Sequence, residues 1–448
     1  MRAFAAALFW VWTAQCVAAQ TVSPPSQVAT TAPPITLPDL ERIALESNPT
    51  VRAAQAQIDA AKGRARQAGA WPNPIAGFTA EEIKLGEEDK RGEYGFFVDQ
   101  TVVMGGKLRL SRAVFERAAE GAEASLELQR LRIVSSVRRA FYEALTTDRR
   151  VEVHERLAAL VSEAVGITAQ LFNVGAADRP DFLESEIEAR RVQLELNAAK
   201  NRAFAVRQEL AALVGQVEIA NRPLAGSLDQ PLPEIEREAA LRGIVDQSPQ
   251  VRAARAELAR VQAATALARR ETFPDLFLRA GAAYNRERGE DTRRPIGWEG
   301  ALEAGISLPL FNRNAGGIAA ARADEMRAEA DLQRVQLLLR SRLASEFAAY
   351  LTAVRNAEIY RTEILPRAEE AYRLYLTRYR EMGAAYPQVL IAQRNLFELS
   401  SDYLESLEDA WRSALRIQGL LAGDGLQSPG GEAEDLEVLS TGRERGGR

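Results

Sequence analysis

The chain has 448 residues, a net charge of -5 and 27% charged residues, so it carries no basic excess that would suit a nucleic-acid partner. Only 7% of it is aromatic and much of the apolar 46% is alanine, which speaks against a thick globular core and for long helices packed closely on small residues. One histidine, His154, and one cysteine, Cys16, leave no material for a Cys/His metal cluster or a disulfide framework.

Residues 1–19 read as a secretory signal: Arg2, a short apolar run from Ala3 to Trp12, and a Val17-Ala18-Ala19 cleavage site. Cys16 offers lipid attachment as an alternative, although Thr13-Ala14-Gln15 before it fits that poorly. Residues 20–36 are a Pro-, Ser- and Thr-rich leader. A first structural repeat spans 37–216. It opens with a helix from Leu40 to about Ala70, closed by Trp71-Pro72-Asn73-Pro74. Strands follow at Ile75–Ile83 and Gly95–Val103. A very long helix runs from about Lys107 to Asn173, its apolar positions Leu128, Leu131, Val134, Val137, Phe141 and Leu145 stepping by three and four. Gly175 and Pro180 mark a turn, and a helix from Asp181 to Leu213 ends near Gly215. A linker covers 217–234.

The second repeat, 235–422, keeps the same order. A helix runs from Ile235 to Glu271, with strands at Leu276–Tyr284 and Trp298–Leu310. In the latter, Trp298, Gly300, Leu302, Ala304, Ile306 and Leu308 point one way and Glu299, Ala301, Glu303, Gly305 and Ser307 the other. A helix from Ile318 to Arg380 is kinked by Pro366. Gly383 and Pro387 form the turn, a helix runs from Gln388 to Leu421, and 423–448 is an acid- and Gly-rich tail that reads as disordered.

The duplication is visible in the residues. Val51-Arg52-Ala53-Ala54 recurs as Val251-Arg252-Ala253-Ala254, Pro49 and Pro74 recur as Pro249 and Pro274, and Val174-Gly175-Ala176-Ala177 is matched by Met382-Gly383-Ala384-Ala385. No segment after the signal approaches the ~20 continuous apolar residues of a membrane helix. A membrane span would therefore be made of strands, and two hairpins cannot close a barrel without pooling strands among several chains.

This layout resembles the TolC-like outer membrane efflux family over about residues 35–422. The resemblance is carried by Asn48-Pro49-Thr50-Val51-Arg52-Ala53-Ala54, by Phe172 to Ala177 with Asp181-Phe182-Leu183, by Leu210 to Gly215, and by Arg380 to Ala385. It implies a mostly α fold with a small β part. Three chains would share a 12-stranded barrel in outer-membrane lipid, and their helices would make a periplasmic tunnel. It further implies a passive duct and not an enzyme. The homotrimer would dock through its tips onto a periplasmic adaptor (a membrane fusion protein), which joins it to an inner-membrane pump of the resistance-nodulation-division type. Gln100 through Gly105-Gly106-Lys107 and Pro309-Leu310-Phe311-Asn312-Arg313-Asn314-Ala315-Gly316-Gly317 resemble the CzcC-like branch, which serves heavy-metal pumps. Drug or other small-molecule export is the alternative, followed by a periplasmic coiled-coil adaptor.

By that resemblance Val174, Gly175, Ala176, Met382, Gly383 and Ala384 are the adaptor-docking tips. Asp181 and Glu184 are candidate aperture acids, since carboxylates repeated by symmetry favour cations. The stretch after the second tip, Pro387 to Ala392, has no such acid. Gly105-Gly106-Lys107 lacks the rest of a phosphate loop, because Leu108 follows the lysine. No acid, base and nucleophile converge, so no catalytic residue, cofactor or metal site is assigned.

Overall fold

The computed structural model describes residues 33–83, 92–288, 295–419, 421 and 426. The expected signal, Cys16, all but the end of the leader, nearly all of the tail and parts of both hairpin loops lie outside them. In the first half the order is β1 (Ile35–Thr36), α1 (Leu37–Ser47), α2 (Pro49–Ala68), β2 (Ile75–Glu81), β3 (Glu93–Val102), α3 (Lys107–Asn173) and α4 (Arg179–Val214). A 3-10 turn at Val217–Asn221 leads into β4 (Leu224–Ala225). The second half has α5 (Arg237–Gln247), α6 (Pro249–Arg270), β5 (Leu276–Arg288), β6 (Pro295–Ile306), α7 (Ala315–Ile359), α8 (Leu365–Arg380) and α9 (Tyr386–Gln418).

The single helix expected from Leu40 to about Ala70 is two helices. Pro49 cannot donate an N–H and pushes the residue before it out of the helical region, so Asn48 is extended with ψ 126. Asn48 is also the joint that holds the break. Its Oδ1 accepts the Thr50 N–H at 2.9 Å, capping α2, and its Nδ2 donates to the Leu213 carbonyl of α4 at 2.9 Å. Ser248 repeats the device before Pro249, which divides the helix expected from Ile235 to Glu271. Near the expected kink at Pro366, a π-helical turn at Tyr360–Ile364 separates α7 from α8.

At 67 residues, α3 is roughly 100 Å long at about 1.5 Å per residue. It packs along α2, α4, α6 and α9. A core midway along the molecule joins α1, α3, α4 and α9 through Leu40, Ile133, Val137, Leu210, Val214 and Leu415. There Tyr142 and Trp411 stack with ring centroids 3.9 Å apart. The linker is not loose: β4 pairs in parallel with β1, placing Leu224 beside Ile35.

The other sheet has the order β2-β3-β5-β6, antiparallel throughout. The β3–β5 pairing sews the two halves together, with Val102 opposite Leu276 and Phe96 opposite Ala282. Phe78, Phe96, Val98, Trp298, Leu302 and Ile306 share one exposed apolar face, as the alternation in β6 predicts. Glu81, Glu93, Asp99, Arg279, Glu299 and Glu303 share the other. β5 runs on to Arg288 beyond the expected Tyr284, while β6 stops at Ile306, short of the expected Leu310. Among the described residues no helix is long and apolar enough to cross a membrane.

Candidate functional site: the helical tips

The far end of the molecule from the sheet is made by two helical turns. In the first, α3 closes with the Gly175 N–H donating to the Phe172 carbonyl (3.0 Å) and the Ala176 N–H to the Leu171 carbonyl (2.8 Å). Gly175 has φ +76, which glycine adopts without strain, and open space surrounds it. α4 then starts after Asp178, with Pro180 in its first turn, where a missing N–H costs nothing.

The second tip uses the same cap one residue out of the expected register. The Met382 N–H donates to the Tyr379 carbonyl (3.0 Å) and the Gly383 N–H to the Arg378 carbonyl (2.7 Å). Met382 therefore stands where Gly175 does, with φ +58, and Gly383 stands where Ala176 does. Matched by letters alone, the two Gly-Ala-Ala runs pair Gly175 with Gly383. Hydrogen bonding pairs the tips through Gly175 and Met382 and aligns Pro180 with Pro387. A left-handed backbone at a side-chain-bearing residue costs about 1–2 kcal/mol. Val174, Gly175, Ala176, Met382 and Gly383 are exposed and Ala384 is half-buried. The apex is thus small residues flanked by two bare apolar side chains, Val174 (76% exposed) and Met382 (71%).

Asp181 is half-buried and Glu184 exposed, both on α4. Burial, chiefly, pushes the Tyr379 hydroxyl up, a hydrogen bond with Thr168 opposes that, and the charge of Asp181 adds to it. Burial likewise raises the Tyr386 hydroxyl, with Glu188 and Glu184 adding to it.

Three cross-links join the hairpins above the tips. The Tyr379 hydroxyl donates to Thr168 Oγ1 at 3.1 Å, and Arg380 pairs with Glu163. Arg394 of α9 grips Glu188 of α4. Glu188 follows Asp181 and Glu184 on α4, and its ion pair is not among the contacts expected from the sequence. Its position one heptad after Asp181, on the face carrying Val192, was the available signal. Tyr372 lies one heptad before Tyr379, and burial followed by the charge of Glu163 holds its hydroxyl up at about 12. That hydroxyl meets no hydrogen-bond partner among the described residues.

His154, higher on α3, packs its ring against Phe397 of α9 with centroids 4.8 Å apart. Its Nδ1 is buried without a hydrogen-bond partner, and burial lowers its pKa. Among the described residues no group of three or more His, Cys, Asp or Glu side chains could hold a metal ion.

The profile of the outer membrane efflux protein family matches this chain twice, over residues 40–216 and 241–423. The cobalt-zinc-cadmium resistance protein CzcC of Cupriavidus metallidurans is 27% identical over 396 residues, covering 87% of this chain and 90% of the relative. The nickel-cobalt-cadmium resistance protein NccC of Alcaligenes xylosoxydans xylosoxydans is 27% identical over 317 residues, covering 69% and 68%. Among solved structures, CusC superimposes with a TM-score of 0.75 at 14% identity, covering 90% of this chain and 96% of its own. The outer-membrane channel OprN gives 0.73 at 20% identity, covering 86% and 90%. VceC from Vibrio cholerae gives 0.72 at 21% identity, covering 87% and 96%. Two long-helix hairpins, a four-stranded sheet and a double family match lead to one conclusion: the chain belongs to the outer membrane efflux protein family.

Proposed function

We propose that this protein is the exit duct of a three-part pump that expels divalent heavy-metal cations, working as a homotrimer with no chemistry of its own. The observation that carries the duct is the four-stranded sheet. It exposes an apolar face, opposes it with a carboxylate-rich one, and offers two outer edges, β2 and β6, for other copies. Lipid does not tolerate open edges, so the strands of several copies must close one barrel. Twelve strands from three copies is an even number within the known range. Metal cargo is supported by the names of the two relatives that match most of the chain, one for cobalt, zinc and cadmium and one for nickel, cobalt and cadmium.

The tips are the docking end. Small residues at Gly175, Ala176 and Gly383 allow close approach of a periplasmic adaptor's helices, with Val174 and Met382 as apolar contacts beside them and Ala384 behind. In the resting form the tips are held by Tyr379–Thr168, Arg380–Glu163 and Arg394–Glu188. An adaptor that binds the splayed form better shifts the population toward it. Asp181 and Glu184, repeated by symmetry, would favour cations at that entrance. The adaptor is in turn held by an inner-membrane pump.

A strain lacking the protein, beside its complemented parent, tests this reading. Lost tolerance to zinc, cobalt and cadmium with unchanged tolerance to dyes and antibiotics is the expected result. Sensitivity to dyes and antibiotics alone would keep the duct and remove the metal assignment.

A further inference from the structure

The seam inside this chain is a template for the seam between chains. Gly106 lies in the left-handed region (φ +72) immediately before α3, and Asn314 does so (φ +51) immediately before α7, so the two are equivalent. Pro74 and Pro274 are equivalent before β2 and β5. These matches set offsets of 200 residues between β2 and β5 and 208 between β3 and β6. Together they carry the Ala76–Val98 pair of the first hairpin onto the Leu276–Ile306 pair of the second. The duplication therefore holds residue by residue through the sheet.

Across the internal seam, β3 pairs with β5 as far as Asp99–Arg279, Gln100–Leu278, Thr101–Phe277 and Val102–Leu276. Past Asp99, β2 offers no partner, so β5 alone keeps Gln100 to Val102 in a strand. Their equivalents are Leu308 to Leu310, which follow the end of β6 and lie in no strand. Leu308 and Leu310 are 61% and 63% exposed, and the Leu310 N–H turns back onto the Leu308 carbonyl at 2.9 Å. What this segment lacks is what β5 gives its counterpart. The outer edge of β2 is the surface equivalent to β5, and it pairs with no strand but β3 among the described residues.

We propose that residues 307–310 extend β6 only when β2 of a second copy lies beside them, in the register of the internal seam. That register sets Leu308 opposite Phe78 of the partner subunit and Ser307 opposite Thr79 of the partner subunit. It keeps Leu308 and Phe78 of the partner subunit on the same apolar face, as a two-sided strand requires. Pro309 contributes a carbonyl and no N–H to this ladder. The helices repeat the logic. α6 lies on α3 across the internal seam, with Arg252 paired to Glu127, and α2 of the partner subunit has the same place on α7. Met326, Leu337 and Leu351 stand exposed on α7. The inference rests on the shared-barrel reading above and adds which residues close it.

Cysteine pairs in the full-length chain test it: Leu308→Cys with Phe78→Cys, and Ser307→Cys with Thr79→Cys, oxidised in isolated outer membranes. The two pairs sample both alternating pair types of an antiparallel ladder. Leu308→Cys with Ala76→Cys or with Ala80→Cys reads the register shifted either way, and each single variant and the parent chain are controls. Directly opposite residues have Cβ atoms about 5 Å apart, so at least one in-register pair should link copies about tenfold more than the shifted pairs. Stronger linking at a shifted pair overturns the register. A native-mass trimer that links at none of these pairs overturns the seam while leaving the trimer in place. A monomer in native mass overturns the shared barrel and the seam together.

Discussion

Arg394 on α9 holds Glu188 on α4 with two prongs, Nη2 at 2.6 Å from Oε2 and Nε at 3.3 Å from Oε1. The Glu188 side chain is only 5% exposed while that of Arg394 is 43% exposed. The carboxylate is therefore the partner that suffers if the pair is broken. Arg394→Ala leaves a buried charge without its counter-ion, at a cost of about 2–3 kcal/mol. Hydrogen exchange in residues 181–192 should accelerate, and cells should become leaky to large antibiotics as the resting tip loosens. Unchanged exchange there would remove Glu188–Arg394 from the resting latch.

Met382 carries strain that glycine would not. Met382→Gly keeps the cap and removes the cost of the left-handed backbone, so it should stabilise the second tip by about 1 kcal/mol. Slower amide exchange at residues 382–383 would report it. Because the same change deletes an exposed apolar side chain from the docking apex, efflux should fall while stability rises. A variant that is more stable and fully active would place Met382 outside the docking surface.

Gly175 tests docking from the other tip. Gly175→Trp has room for its side chain but not for its backbone at φ +76, and it would obstruct an approaching helix. Efflux should drop sharply with the trimer level in the outer membrane unchanged. Full efflux with this variant would count against tip docking.

His154 gives the helices above the tips a pH dependence of known sign. Burial, reinforced by Arg150 and opposed by Glu195, holds its pKa below the usual 6.5. Below about pH 6.5 the unfolded chain therefore takes up this proton more readily than the folded form does. Stability from this group is fully present above about pH 6.5 and is lost as pH falls from there through the lowered pKa of the folded form. The thermal midpoint should fall between pH 7.5 and pH 5.5, and fall less in His154→Gln. Parallel curves for the two proteins would show that His154 is not the titrating group.

Asp181→Asn with Glu184→Gln separates an aperture role from ordinary surface charge. Tolerance to divalent metals should fall several-fold with the trimer level in the outer membrane unchanged. A loss of tolerance that tracks a lower trimer level would make the two acids structural.

Much of this fold was legible because its signals are periodic. The alternation from Trp298 to Leu308 placed a two-faced strand, and the stepping from Leu128 to Leu145 placed the longest helix. What was missed depends on partners far away in sequence. Asn48 divides a helix because Pro49 follows it and Leu213 accepts its amide, a contact that composition does not announce. The pairing of β1 with β4 joins two-residue strands too short to show a period. The tip slip arose because Gly383 looks like the cap glycine, while hydrogen bonding gives the position to Met382. The pattern of β6 predicts an end at Leu310, and among the described residues no strand lies beside it there.

The most direct measurement is the rate at which cells lose a preloaded metal. Cells with and without the protein would be loaded with cadmium, washed, and followed for cadmium content beside a fluorescent dye. The account predicts that deletion slows cadmium loss several-fold, that complementation restores it, and that dye loss is unaffected. Equal cadmium loss in both strains, with dye retained only in the deletion, would contradict the metal assignment.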